Sequence, residues 1–96
     1  MTEHQLRIAP QWFDKLASGV KTSEVRKHDR DFVVGDSVVF IDDTYRFNAS
    51  VPVRAIRGWI THILPASLFP EGLQVGYSVL SLDLGDRRIL SEEEIS

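Results

Sequence analysis

The sequence predicts an α+β, mainly β domain: a pseudo-barrel of five to six short strands with one or two short helices. Three observations carry this. Short runs of β-branched and apolar residues recur between turn-forming residues along the chain. A single segment, residues 10–18, has clear helical periodicity. Gly58 interrupts the longest β-rich stretch, Val51 to Leu64, where a closing sheet needs a bulge or bend. Closing the sheet is a common way for a small β core to remove exposed edges.

The elements follow in order. Gln5 to Ala9 alternates Leu6 and Ile8 with polar residues, the pattern of a short strand. Pro10 suits the first turn of a helix. Trp12, Phe13, Leu16 and Ala17 then recur at helical spacing and form one apolar face, so Trp12 and Phe13 are expected in the core. Gly19 stands where a helix C-terminus favours a left-handed residue. Thr22 to Lys27 reads as a strand, with Thr22, Glu24 and Arg26 on one face and Ser23, Val25 and Lys27 on the other. His28 to Asp31 is too polar for a central strand and reads as a loop. Phe32 to Asp36 approaches a tight turn, and Ser37 to Ile41 is a short strand.

Asp42 to Thr44 reads as a turn, with Tyr45 to Ser50 as the return arm of a hairpin. In Val51 to Leu64 the alternation sets Trp59, Thr61 and Ile63 against Ile60, His62 and Leu64. Trp59 is expected in the core, with base stacking as the alternative. Pro65 to Gln74 is a loop with room for one helical turn. Gly76 to Leu84 is the last strand. Ser91-Glu92-Glu93-Glu94 either caps one helical turn or frays as an acidic tail. The expected organisation is one domain, residues 1–90, followed by an acidic tail, 91–96.

Ninety-six residues make one domain with a thin core, which favours a shallow groove or barrel mouth over a deep cleft. Hydrophobic content of 43% and charged content of 26% suit a globular protein. No apolar run approaches the ~20 residues of a membrane span, and the N-terminus lacks an apolar signal region. A cytoplasmic, monomeric protein is expected, without a membrane partner. Zero cysteines exclude disulfides and thiolate metal sites. His4, His28 and His62 match no ligand spacing, so no metal is expected. No phosphate-binding glycine loop is present, and no cofactor is expected.

The net charge of −3 argues against strong non-specific nucleic-acid binding. It leaves room for a local positive groove. Residues 21–30 carry four Lys/Arg against two acids, the densest chemistry in the chain. Along one strand face Glu24 and Arg26 stand about 7 Å apart, so they can pair or converge on one ligand. As a solvated face, this cluster is merely surface.

The segment from His4 to Asp36, H-Q-L-R-I-A-P-Q-W-F-D-K-L-A-S-G-V-K-T-S-E-V-R-K-H-D-R-D-F-V-V-G-D, resembles the ASCH domains of the PUA-like superfamily. It is most similar to a branch of short bacterial and phage proteins. Their pattern is a strand ending at Pro, a helix, G-x-K-x-x-E-x-R and a D-R-x-F-x-V-G-D turn. Gly19, Lys21, Glu24, Arg26, Asp29, Arg30, Phe32, Val34, Gly35 and Asp36 match it. Gly76 to Leu82 resembles the family's closing strand. The resemblance covers about residues 4–84, and the middle, 42–75, carries little of it.

The resemblance implies a PUA-like pseudo-barrel that binds RNA or a modified nucleoside in a cleft lined by the G-x-K-x-x-E-x-R segment. Lys21, Glu24 and Arg26 would form that cleft, with Lys27, His28 and Arg30 at its edge. Cationic side chains would hold phosphate, and Glu24 would accept from a base edge. Asp29 and Arg30 would otherwise fix the loop, and Arg26 could instead hold Glu24 or Asp36. The resemblance also implies a second possibility. Some ASCH proteins hydrolyse the amide of N4-acetylcytidine, and ribonuclease activity is reported for another group. Lys21 and Glu24 would then carry proton transfer. The amidohydrolases have K-x-x-T-x-R, however, and Glu24 stands at the Thr position. They also use a carboxylate from the second half of the chain, where Glu71 is the only glutamate in the 65–75 loop. A third reading is a protein-interaction module, of phage or mobile-element type, with a protein partner.

Overall fold

The computed structural model describes residues 1–27 and 31–95. It is mainly β: six strands curl into a half-barrel, with two short helices. Strand β1 (Glu3–Ile8) leads into helix α1 (Pro10–Ser18), then β2 (Ser23–Lys27) and β3 (Ser37–Asp42). A 3₁₀ turn (Asp43–Arg46) precedes the long β4 (Arg54–Pro65). A second 3₁₀ turn (Ala66–Leu68), β5 (Tyr77–Asp83), β6 (Ile89–Ser91) and α2 (Glu92–Ile95) complete the chain. The strand order is β1-β3-β4-β5-β2, with β6 paired to β4. Only β1 and β3 run parallel; the other pairings are antiparallel. Strands β1 and β2 are therefore the two open edges of the curl. No helix among the described residues is long and apolar enough to cross a membrane.

Helix α1 forms as its residues dictate. Pro10 occupies the first turn, where its missing N–H costs nothing. Phe13 and Leu16 bury completely, and Gly19 ends the helix at φ 84° with its N–H on the Leu16 carbonyl. Trp12 corrects the sequence reading. It is 46% exposed, because one short helix buries a stripe only as wide as Phe13 and Leu16.

The main core fills the inside of the curl with Leu6, Ile8, Phe13, Leu16, Phe32, Val38, Phe40, Ile56, Ile60, Leu80, Leu82 and Leu84. A smaller core of Val39, Ala55 and Leu90 lies on the outer face of the sheet, where Ile41 and Ile95 pack against it. This explains the uninterrupted apolar run Val38-Val39-Phe40-Ile41. A strand covered on both faces has no polar side to alternate with.

Two regions depart from the pattern read from sequence. The segment Tyr45 to Ser50 is not a hairpin arm. The Asp42 carboxylate accepts from the Thr44 N–H at 2.9 Å and from the Thr44 hydroxyl at 2.6 Å, which turns the chain into the 3₁₀ turn. In β4 the irregularity falls between Ile60 and His62, not at Gly58. One extra residue there reverses the alternation, so Ile63 follows Ile60 inward and pairs with Leu80, while His62 points to solvent. Gly58 serves a different purpose. A Cβ on it would stand 2.6 Å from the Leu84 side chain, so its bare backbone admits Leu84 to the core. Trp59, 45% exposed, lies on the outer face instead of in the core.

The C-terminal residues join the fold. Strand β6 pairs with the start of β4, and Ser91 N–H bonds the Glu94 carboxylate across the first turn of α2. Arg88 pairs with Glu94, and Gln5 donates to the Ile95 carbonyl at 3.3 Å.

Candidate ligand-binding site

The turn after α1 delivers the first residue of the site. Past Gly19, the Lys21 N–H bonds the Lys15 carbonyl at 3.0 Å, which folds Lys21 back beside the helix end. Strand β2 then pairs with β5 so that Glu24 stands opposite Leu80 and Arg26 opposite Ser78. Leu80 and Ser78 are buried, and the shared pleat turns Glu24 and Arg26 toward that same face.

There the three residues form one connected network. One Glu24 oxygen lies 3.0 Å from the Lys21 ammonium as an ion pair. The other accepts from Arg26 Nε at 3.1 Å and lies 3.0 Å from its Nη2. Side-chain exposure is 12% for Glu24, 20% for Lys21 and 26% for Arg26. A carboxylate this far from water needs its charge compensated, and two cations supply it. The triad carries a surplus of one positive charge, held mostly out of solvent.

Arg26 does a second thing. Its Nη2 donates to the Arg7 carbonyl of β1 at 2.7 Å. Strands β1 and β2 share no backbone ladder, so this guanidinium bridges the seam where the curl fails to close. Among the described residues its Nη1 has no hydrogen-bond partner. Beside the seam lies a cavity of about 560 Å³. Arg7, Arg26 and Arg46 line it with Gln5, Asp43 and Tyr45, over Leu6 and Ile41.

The sequence singled out six side chains for this site. Lys21, Glu24 and Arg26 meet as expected. Lys27 does not join them: it is exposed and stands on the opposite face of β2, as strand alternation requires. His28 and Arg30, with Asp29, lie outside the described residues. His4 is committed elsewhere, with Nε2 2.9 Å from Asp36 and its ring 4.8 Å from that of Phe32.

Arg7, Tyr45 and Arg46 escaped the sequence reading. In one dimension Arg7 is an ordinary polar position of an alternating strand. Only the curl brings β1 against β2. A second cluster was equally invisible: Arg54 reaches Asp42 at 2.6 Å and Asp14 at 2.7 Å, and lies 4.5 Å from the Phe13 ring centroid. It ties α1 to the ends of β3 and β4, beneath the 3₁₀ turn that carries Tyr45 and Arg46.

Two buried carboxylates hold this frame. Asp36 accepts from the Thr2 and Val33 N–H groups, both at 3.1 Å, and meets His4. The bond with His4, then that with Thr2, holds its carboxyl below the ordinary 3.8. At Asp42 burial pushes upward, but the bonds from Thr44 and Arg54 win and lower it. Their folded forms thus bind protons less readily than the unfolded chain. The resulting stability is present above the ordinary carboxylate range and is lost as pH falls through the depressed folded values. Thermal melts should therefore show a nearly constant Tm from pH ~7 to ~5 and a steep fall below pH ~4. A Tm that stays level down to pH ~2.5 would contradict this account.

Residues 3–82 match the model of a protein family described as a domain of unknown function, DUF3850. The match runs from the start of β1 almost to the end of β5, so it contains the triad, the seam and the cavity lining. No curated protein matches the chain.

Proposed function

We propose that this chain, which belongs to the DUF3850 family, is an ASCH-type, PUA-like domain that binds RNA or a modified nucleoside beside Lys21, Glu24 and Arg26. One observation carries the reading: these three motif residues form a single ion network at the seam, contiguous through Arg26 with a cavity lined by arginines. A binding site for a polar, hydrogen-bonding ligand needs oriented donors and acceptors in partly excluded water. Glu24 offers the acceptor for a base edge, and the flanking cations favour an anionic neighbour. The net charge of −3 sets a limit on size. A chain that repels polyanions at long range suits a short or monomeric ligand better than a long duplex.

The hydrolase reading rests on the contact between Lys21 and Glu24, a juxtaposition that proton transfer uses. Against it, each Glu24 oxygen already faces a cation, so a base role requires the ligand to displace one of them.

A ¹H–¹⁵N NMR titration tests both readings. Short single-stranded RNA, cytidine and N4-acetylcytidine are added separately, and each sample is followed for product. Shifts clustered at residues 19–27 and along β1 are the expected result. Product formation that Lys21→Ala abolishes would move the protein to the hydrolase class. No shift and no product with any of the three would overturn both readings and leave a protein partner as the working answer.

A further inference from the structure

We propose that the cavity lined by Arg7, Arg26, Arg46 and Tyr45 is a phosphate site. The ligand of the adjoining cleft then carries a phosphate ester and is not a free nucleoside. This deepens the binding reading above and rests on it for the nucleoside part.

The argument starts from charge. Among the described residues, three guanidiniums face this cavity and one carboxylate, Asp43, answers them. On a chain of net charge −3 such a surplus is local and specific. The commitments of the arginines sharpen the point. Arg54, Arg57 and Arg88 each pair with a carboxylate. Arg7 and Arg46 pair with none among the described residues. Arg46 lies only loosely over Phe47, 5.9 Å from its ring centroid. Arg26 reaches the cavity with its Nη1 unpartnered among the described residues, while its other nitrogens are fixed by Glu24 and by the Arg7 carbonyl. That anchoring removes most of the entropy a free arginine would lose on binding. A planar, pre-oriented guanidinium sharing a cavity with two exposed ones suits tetrahedral oxyanions. Tyr45 adds a neutral hydroxyl donor.

Size agrees. About 560 Å³ exceeds what one phosphate fills and leaves space for the sugar attached to it. Arg26 belongs to the triad and to the cavity at once, so a phosphate here and a base at Glu24 would be parts of one molecule.

The test compares cytidine, cytidine 5′-monophosphate, the dinucleoside monophosphate CpC and inorganic phosphate. Affinities are read by NMR, with arginine Nε–Hε signals followed in the same spectra. The wild-type chain should bind a phosphorylated probe at least about tenfold more tightly than cytidine, the scale of one charge-assisted hydrogen bond at a partly exposed site. The gain should shrink as salt rises. A gain confined to the monophosphate identifies a terminal phosphate, and an equal gain for CpC identifies nucleic-acid backbone. In the Arg7→Gln/Arg46→Gln double variant the gain should vanish, so that the phosphorylated probes bind no more tightly than cytidine does. Both side chains are exposed, and the Arg7 carbonyl that receives Arg26 is untouched, so the fold survives. Equal affinities in the wild-type chain, or a gain that persists in the double variant, overturn the phosphate site. If inorganic phosphate alone shifts Arg7 and Arg46, the phosphate site stands and the nucleoside reading falls. If no probe shifts them, the phosphate site falls, and if none shifts residues 19–27 either, the nucleoside reading falls with it.

Discussion

A Glu24→Gln variant should lose about 3 kcal/mol of unfolding free energy, the scale expected when one partner of a mostly buried ion network is neutralised. The loss comes less from missing attraction than from what remains. Lys21 and Arg26 would face each other across a neutral amide, both largely shielded from water. Glutamine still offers one acceptor oxygen but cannot serve both cations. Arg26 would then loosen, and with it the bridge to the Arg7 carbonyl that holds β2 against β1. Urea denaturation gives the number. Adding Lys21→Met to Glu24→Gln should recover part of the loss by removing one of the opposed charges, and the double-mutant cycle measures that coupling. A loss below about 0.5 kcal/mol would mean that solvent screens the triad as it screens surface pairs. Glu24 would then be a poor candidate for a pre-oriented acceptor.

Asp42→Ala should be comparably costly, at about 2–3 kcal/mol, through a different mechanism. Asp42 is buried at the end of β3 and serves two neighbours. It caps the 3₁₀ turn through Thr44, and it receives Arg54 Nε at 2.6 Å. Alanine leaves the turn uncapped and a partly buried guanidinium with Asp14 as its remaining carboxylate. Asp42→Asn keeps an acceptor for Thr44 and loses the charge that holds Arg54, so its cost should fall between wild type and alanine. The turn carries Tyr45 and Arg46, so the alanine variant should also disturb the cavity lining. Chemical shifts of Tyr45 and Arg46 that stay at wild-type values would show that the turn does not depend on its cap.

Local signals were legible because local physics produces them. Helix α1 could be bounded from Pro10, the Phe13 and Leu16 stripe, and Gly19, since capping and periodicity act within a few residues. The shared face of Glu24 and Arg26 followed from strand alternation alone. The same alternation had already set Lys27 apart, and the motif resemblance placed it at the cleft edge regardless. Where a signal was local but ambiguous, the reading failed. Gly58 suggested a bulge, but its cause is the approach of Leu84, a residue far along the chain. The bulge itself falls between Ile60 and His62, where pairing with β5 slips by one residue. Neither Ile60 nor His62 announces it. Helical spacing puts Trp12 on the apolar face and Trp59 also reads as core, but a residue's own segment does not say which faces a neighbour will cover.

The sequence by itself determined the mainly β class, the one substantial helix, most strand positions and the triad of Lys21, Glu24 and Arg26. Each of these rests on spacing of two to four residues or on a contiguous motif. Tertiary structure alone decided that β1 pairs in parallel with β3 and that the sheet stays open between β1 and β2. It also decided that Arg26 spans the gap, and that Arg7 and Arg46, 39 positions apart, line one cavity. Those outcomes depend on strand order and curl, which arise from the packing of the whole core. No window of neighbouring residues contains that information.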